Sequence, residues 1–393
     1  MTIKAASSFL FQSTKSIWCE LGSSRHVGRV LSEDLMLKPK SAKTVVVVSD
    51  KGITSRNLEL PSFENLAEHG YEVVLFDDVV ADPPESVVLD AVDLAKSVDA
   101  ACVIGFGGGS SLDTAKLVSF LAHPSAKQKI GDIYGVGNCF GPRLPLVQIP
   151  TTAGTGSEVT PISIITTGEN EKKGVVSPVL LPDVAVLDGE LTASLPAHVT
   201  SATGVDAMVH AIEAYTSRIK KNPLSDLLAR EALRLLGKNI KTVVCSEPDN
   251  MEARSEMLLG SMYAGMAFAN APVGAVHALA YPIGSHFHVP HGLSNALMLP
   301  HVLRFNMESA RDLYADLAPI VFPGRPAKAE AFVEGIEELI DTLKMDNHLT
   351  QVGIQEKDLD MLAKLAMKQT RLLPNNPREV TEADAFELYR QAL

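Results

Sequence analysis

Residues 100–122, AACVIGFGGGSSLDTAKLVSFLA, decide the fold class. AACVIGF has the unbroken apolar character of a buried strand, Gly107-Gly108-Gly109 interrupts it, and SLDTAKLVSFLA resumes with apolar residues at helical spacing. Strand, glycine turn and helix start, in that order, belong to an α/β architecture. Ser110 is expected to cap the helix, with Asp113 three residues on. Such a turn can present backbone N–H groups to an anion at the positive end of a helix. A glycine turn also serves packing alone, so GGGS by itself leaves both uses open.

Outward from that stretch, strands are predicted at 44–49, 71–76, 145–149 and 184–187, separated by helical patterns such as ESVVLDAVDLAKSV. This alternation predicts a largely parallel sheet with crossovers over residues 1–190. The strand KTVVVV ends at Ser49 and Asp50, and an acidic group at such an end can bind a ribose diol, although Asp50 read alone is also an ordinary turn residue. PLVQI is followed by Pro150-Thr151-Thr152-Ala153-Gly154-Thr155-Gly156-Ser157-Glu158, a loop able either to donate to a phosphate or ribose or to cap its own backbone. From Leu191 to Leu393 helical segments follow one another, broken at Pro223, Pro248, Pro272, Pro290, Pro323 and Pro374, which predicts an all-helical second domain over 191–393.

Within that second half, Asp206, His210, His277 and His291 stand in the frames GVDAMVH and HALAYPIGSHFHVPHG. Asp206 and His210 are four residues apart in SATGVDAMVHAIEAYTS, so on a helix they share one face and can close on a single ion. A lone histidine is more often a packed core residue than a ligand. Here no Lys or Arg occurs from Ser255 to Val302, and a buried carboxylate without a cation is costly. Imidazole and carboxylate without thiolate suit iron(II), zinc or nickel(II).

Composition narrows the function class. The 393 residues accommodate two cores, and 46% hydrophobic with 21% charged residues describe an ordinary globular chain. A formal charge of −12 argues against nucleic acid or an anionic membrane as partner. The N-terminal MTIKAASSFLFQSTKSIW has too short an apolar core for a signal peptide, so the cytoplasm is the expected location. Cys19, Cys102, Cys139 and Cys245 show no CxxC spacing and are expected to be reduced thiols.

GGGSSLDTAK, PTTAGTGSEVT, ATGVDAMVHAIEAY and HALAYPIGSHFHVPHGLSNALMLPHVLRFN, in this order and at these separations, resemble the iron-dependent (group III) alcohol dehydrogenase family. The resemblance runs from near Val45 to the C-terminus. It implies an α/β dinucleotide-binding domain, an all-helical domain, and a divalent metal in the cleft between them, the two-domain fold also found in dehydroquinate synthase. It implies Asp206, His210, His277 and His291 as metal ligands, with iron expected and zinc or nickel as alternatives. NAD would contact Asp50, Gly108, Gly109, Ser110, Asp113, Thr151, Thr152, Thr155, Thr160 and Lys173. The activity implied is hydride transfer between NAD(H) and a small primary alcohol or aldehyde, in a homodimer or higher homo-oligomer.

One position departs from the pattern. Where many relatives carry a second histidine four residues after the third ligand, near the nicotinamide and linked to proton transfer, this chain has Tyr281, making Tyr281 the candidate catalytic side chain. Tyr-Pro there also resembles the hydroxyacid–oxoacid transhydrogenase branch. That reading, or a reductase of a small oxoacid of the 4-hydroxybutyrate or maleylacetate type, is the runner-up. The lack of basic residues from Ser255 to Val302 disfavours anionic substrates, with His286 and His288 as other sources of positive charge. A lyase resembling dehydroquinate synthase is more remote, because its phosphate-bearing substrate calls for several Lys and Arg near the metal.

Overall fold

The computed structural model describes residues 8–39, 43–168 and 171–393, so the first seven residues of the N-terminal stretch read above lie outside them. The α/β part is built on nine strands: β1 Ser16–Cys19, β2 Thr44–Asp50, β3 Glu72–Val79, β4 Cys102–Gly107, β5 Gly135–Val136, β6 Leu146–Pro150, β7 Ile162–Thr167, β8 Glu171–Val176 and β9 Val184–Leu187. Six of them form one sheet in the order β1-β9-β6-β4-β2-β3, and every pairing in it is parallel.

The valine run of β2 shows why this sheet reads as continuous apolar sequence. Val45 and Val47 face one core with Leu66, Ile104, Phe106 and Val186, while Val46 and Val48 face the other with Val88, Val103, Leu117 and Phe120. Both faces are covered, so no polar alternation survives, and β-branched side chains fit the pleat. Helices Glu85–Ser97 and Gly109–Leu121 supply residues to the second core, and Leu60–Glu68 to the first. The chain moves from β2 to β3 on one side and then to β4 on the other. Their carboxyl ends therefore flank a topological switch point, where open α/β sheets bind ligands.

The strands expected from the sequence are present with ends shifted by a few residues. Missing from that reading are β1 and a three-stranded second sheet, β5-β8-β7, whose β7–β8 pairing is antiparallel. β8, EKKGVV, opens on charge and contains a glycine, so it carries little strand signal, and β1 is four residues at a sheet edge.

The helical unit contains Ala197–Thr216, Pro223–Lys241, Met251–Asn270, Ala275–Phe287, the 31-residue His291–Val321, Ala329–Thr342, Leu359–Met367 and Glu382–Ala392. Ala197–Thr216 is its centre, buried from Gly204 to Thr216, and packs on Pro223–Lys241, Met251–Asn270 and His291–Val321. Contacts group residues 12–152 and 156–194 in the α/β unit, and 8–11, 153–155 and 195–393 in the helical unit. The division after β9 thus falls at Leu195 instead of 191. Asp188 explains the difference: its carboxylate accepts from Gly22 N (2.9 Å), Ser24 Oγ (2.6 Å) and Glu190 N (3.1 Å), pinning the turn Gly189–Thr192 to the sheet. The same division puts Thr155 with the helices.

Candidate functional site

The glycine turn after β4 holds its shape for steric reasons. Gly107 has φ +151°, and a Cβ there would lie 2.8 Å from Ser111 Oγ and 3.0 Å from Asp50 Oδ2. The helix after it begins at Gly109 with extended Gly108 as N-cap, so Ser110 is not the cap: it already sits inside the first turn, and no side chain caps that end. The shift leaves backbone N–H groups of the first turn without a side-chain partner, as an anion site requires. Asp50, ending β2, instead caps the short helix Lys51–Thr54 through Gly52 N (2.8 Å) and accepts from Ser111 Oγ at 3.1 Å. Thr151 N–H donates to Gly107 O at 3.0 Å, and Thr152 stands beside Gly108. Asp50, Gly108, Gly109, Ser110, Thr151 and Thr152 therefore gather at the carboxyl ends of β2, β4 and β6.

Asp113, Thr160 and Lys173, also expected around a dinucleotide, each have partners within the protein. Asp113 is turned into a buried polar cluster, accepting from Ser157 Oγ (2.5 Å) and Ile164 N (2.8 Å), with Lys116 Nζ at 3.4 Å. Lys116, fully buried, donates to Ser157 Oγ (2.7 Å), Thr160 Oγ1 (3.1 Å) and Ile162 O (2.6 Å). Thr160 is thus engaged inside the protein as well. Burial lowers the Lys116 ammonium from its ordinary range, with Asp113 opposing the shift, and burial pushes the neighbouring Glu158 carboxyl up to about 7. Lys173 stands on β8, paired with Glu171 and over the Tyr134 ring.

In the helical unit, Asp206 and His210 lie one turn apart on Ala197–Thr216, His277 is in Ala275–Phe287, and His291 opens His291–Val321 directly after Pro290. One donor atom from each falls within 4.8 Å of all the others. Asp206 Oδ1 is 3.8 Å from His277 Nε2 and 3.6 Å from His291 Nε2, and the His210 and His277 rings stack at 4.7 Å. Asp206, His210 and His277 are buried, while the His291 side chain is 30% exposed, making it the most open side of the group. Gly292 permits the approach of the two helices, since a Cβ there would meet Ala202 O at 2.2 Å.

Burial drives His210 down to about 4, so its ring is neutral and keeps a lone pair at neutral pH. Burial would raise Asp206, but the facing His210, His291 and His277, with the Asn295 amide, outweigh it and hold the carboxyl below its ordinary value. His210 Nδ1 contacts Gly154 O at 3.2 Å, in the stretch of the Thr-rich loop that groups with the helices.

Two further residues, Glu213 and Asn295, escaped the sequence reading. Glu213 Oε2 lies 2.6 Å from His277 Nδ1 while its Oε1 accepts from Val276 N at 2.7 Å. Asn295 Nδ2 donates to Asp206 Oδ1 (2.6 Å) and lies 3.3 Å from both His277 Nε2 and His291 Nε2. Helical spacing contained the signal: Glu213 follows Asp206 by seven residues and Asn295 follows His291 by four, each on the same helix face as that residue. Tyr281, one turn beyond His277, places its ring 6.5 Å edge-on to His277 and 5.7 Å from His291. His286 and His288, considered as sources of positive charge, are exposed at the end of their helix.

Comparison with known proteins identifies the family. A family model described as "Iron-containing alcohol dehydrogenase" matches residues 17–189, and one described as "Fe-containing alcohol dehydrogenase family, C-terminal" matches 200–393. The chain is 38% identical to long-chain-alcohol dehydrogenase 1 of Geobacillus thermodenitrificans, covering 93% of this chain and 94% of that one. It is 32% identical to the NAD-dependent methanol dehydrogenase of Bacillus methanolicus, covering 93% and 96%. The crystal structure of a 1,3-propanediol oxidoreductase superposes with a TM-score of 0.92 at 32% identity, covering 98% of this chain and all of that one. With both halves matched by the family, the chain belongs to the iron-containing alcohol dehydrogenase family, and it is an oxidoreductase of the alcohol dehydrogenase and aldehyde reductase type.

Proposed function

We propose that this protein interconverts a small primary alcohol and its aldehyde with NAD(H), using a divalent metal, iron(II) foremost, held by Asp206, His210, His277 and His291. One observation carries the reading: three imidazoles and one carboxylate converge from three helices within 4.8 Å, and no Lys or Arg occurs from Ser255 to Val302 to neutralise them. The donor set fits a borderline transition ion, being too rich in nitrogen for magnesium or calcium and free of the thiolates of a closed structural zinc site. When bound, the ion supplies Lewis acidity toward an alcohol or carbonyl oxygen, and the nicotinamide supplies or accepts the hydride.

The chain's own residues do the rest. Neutral His210 offers a lone pair at neutral pH, Asp206 supplies the negative charge, and the half-open side at His291 leaves room for substrate. We place the dinucleotide at the carboxyl ends of β2, β4 and β6, its phosphates at the Gly108–Ser110 turn and its ribose at Asp50, whose charge would repel a 2′-phosphate. Thr151 and Thr152 line that end. In this reading Thr155 and Lys173 reach the cofactor from their own elements, whereas Asp113 and Thr160 shape the loop from beneath. We assign Tyr281 to the reacting end, a reading supported by its ring standing beside His277 and His291. Reduced thiols at Cys19, Cys102, Cys139 and Cys245 support a cytoplasmic location, and a homodimer or larger homo-oligomer completes the proposal.

The test is NADH oxidation by iron(II)-loaded protein across a panel of aldehydes and oxoacids, with NADPH in parallel. Reduction of small aldehydes with NADH preferred is the expected result. Oxoacids reduced to the exclusion of aldehydes, or a preference for NADPH, would overturn the substrate class or the role of Asp50.

A further inference from the structure

Ligating imidazoles are ordinarily oriented by what their other nitrogen touches, because that partner fixes which nitrogen carries the proton. His277 can ligate through Nε2 only if Nδ1 holds the hydrogen. Glu213 faces that nitrogen at 2.6 Å, and both residues are buried. Its second oxygen is spoken for by Val276 N–H, which can only donate. Two donors from adjacent residues of one helix start therefore meet two acceptors on one side chain. At the opposite edge of the ring, the Asn295 Nδ2 donor lies 3.3 Å from Nε2, which matches a lone pair there.

We infer that Glu213 is a positioning residue that selects the Nδ1–H tautomer of His277 and so sets the strength of the metal site. The inference rests on the metal reading above. A carboxylate satisfies both donors. A carboxamide of the same size satisfies one: with its oxygen on Val276 N–H, its NH2 turns to His277 Nδ1, which must then accept, moving the proton to Nε2 where it blocks ligation. Glu213→Gln therefore preserves shape and inverts hydrogen-bond sense. A role confined to helix packing would leave both tautomer and affinity untouched.

Two readouts test it. In metal-free protein carrying 15N-histidine, two-bond 1H–15N correlations report each ring's tautomer, with His277→Gln used to assign the signal. The wild type is expected to show Nδ1–H at His277 and Glu213→Gln to show Nε2–H. Zn(II) affinity, measured by competition with a chromophoric chelator, is expected to fall about 10- to 100-fold in Glu213→Gln, the range found when such partners of ligating histidines are removed. Glu213→Ala, leaving both donors unmatched, is expected to give a tautomer mixture and a fall of about tenfold or more. An Nε2–H tautomer in the wild type overturns the inference whether or not any variant folds, as does a folded Glu213→Gln with wild-type tautomer and Zn(II) affinity within twofold. A wild type that binds no Zn(II) would instead strike the metal reading, which the metal-free tautomer measurement does not depend on.

Discussion

Asp206 and Asp113 are both helix carboxylates with nitrogen groups close by, yet their surroundings differ in one respect. Three residues after Asp113 comes Lys116, whose buried ammonium is hydrogen-bonded by Ser157, Thr160 and Ile162, so the α/β unit brings its own cation. Four residues after Asp206 comes His210, neutral through burial, and the residues that converge with it are imidazoles and the Asn295 amide. The first cluster is internally satisfied apart from an unpartnered oxygen on Glu158. The second gathers imidazole and amide nitrogens around one carboxylate, with no Lys or Arg in the group. A buried carboxylate met by convergent imidazoles is a candidate metal site, whereas one paired with an ammonium reads as structural.

The largest expected effect separates the two clusters at the metal. His277→Ala and His210→Ala each remove a nitrogen donor, and metal content by elemental analysis should collapse together with turnover, affinity falling by more than about 100-fold. Full occupancy and normal turnover in both variants would erase the contrast. Lys116→Met should do the reverse. It strands Asp113 and Glu158 in the interior, costing about 3 to 5 kcal/mol of stability by chemical denaturation, while the metal-to-protein ratio of the folded fraction stays at the wild-type value. Loss of metal without loss of stability would show that this cluster serves the site instead of the scaffold.

Glu158 sharpens the comparison through pH. Burial raises its folded pKa from 4.5 to about 7, so between those values the native state keeps a proton that the unfolded chain has released. Stability consequently falls as pH rises through that window, and the cost is complete above about 7. Glu158→Gln carries no such proton, so its stability relative to wild type should improve from pH 4.5 to 7 by about 3 kcal/mol and then level off. Urea midpoints at a series of pH values measure it; a constant difference would mean that Glu158 is ionised throughout.

The smallest expected effect is a shift of profile at Tyr281. A phenol accepts a proton near neutrality far less readily than the imidazole found there in many relatives, so wild-type alcohol oxidation should need alkaline pH. Tyr281→His should move the oxidation limb of kcat/KM toward lower pH, with aldehyde reduction near neutrality little changed. Profiles that coincide would return Tyr281 to lining the pocket beside His277 and His291.

The parallel sheet was legible because strands covered on both faces carry unbroken apolar runs, Val45–Val48 in β2 and Cys102–Ile104 in β4, and because a helical pattern resumes directly after the glycine break at 107–109. The cluster of Asp206, His210, His277 and His291 was legible as a candidate because helical period alone brings Asp206 and His210 to one face, leaving two more histidines in a segment without Lys or Arg. Tertiary structure decided what pattern could not. Asp113 looks from sequence like a residue beside a phosphate turn, but its partners Ser157 and Ile164 arrive from 44 and 51 residues away and turn it inward. Glu213 and Asn295 had the right spacing, yet their role depends on where Val276 N–H and Asp206 Oδ1 lie, which packing of separate helices determines. Ser110 is not the cap because the backbone is already extended at Gly108, two residues earlier, and the helix begins at Gly109. Residue period is local and was fixed by the sequence alone; hydrogen-bond partnership between distant segments exists only once the chain has closed on itself.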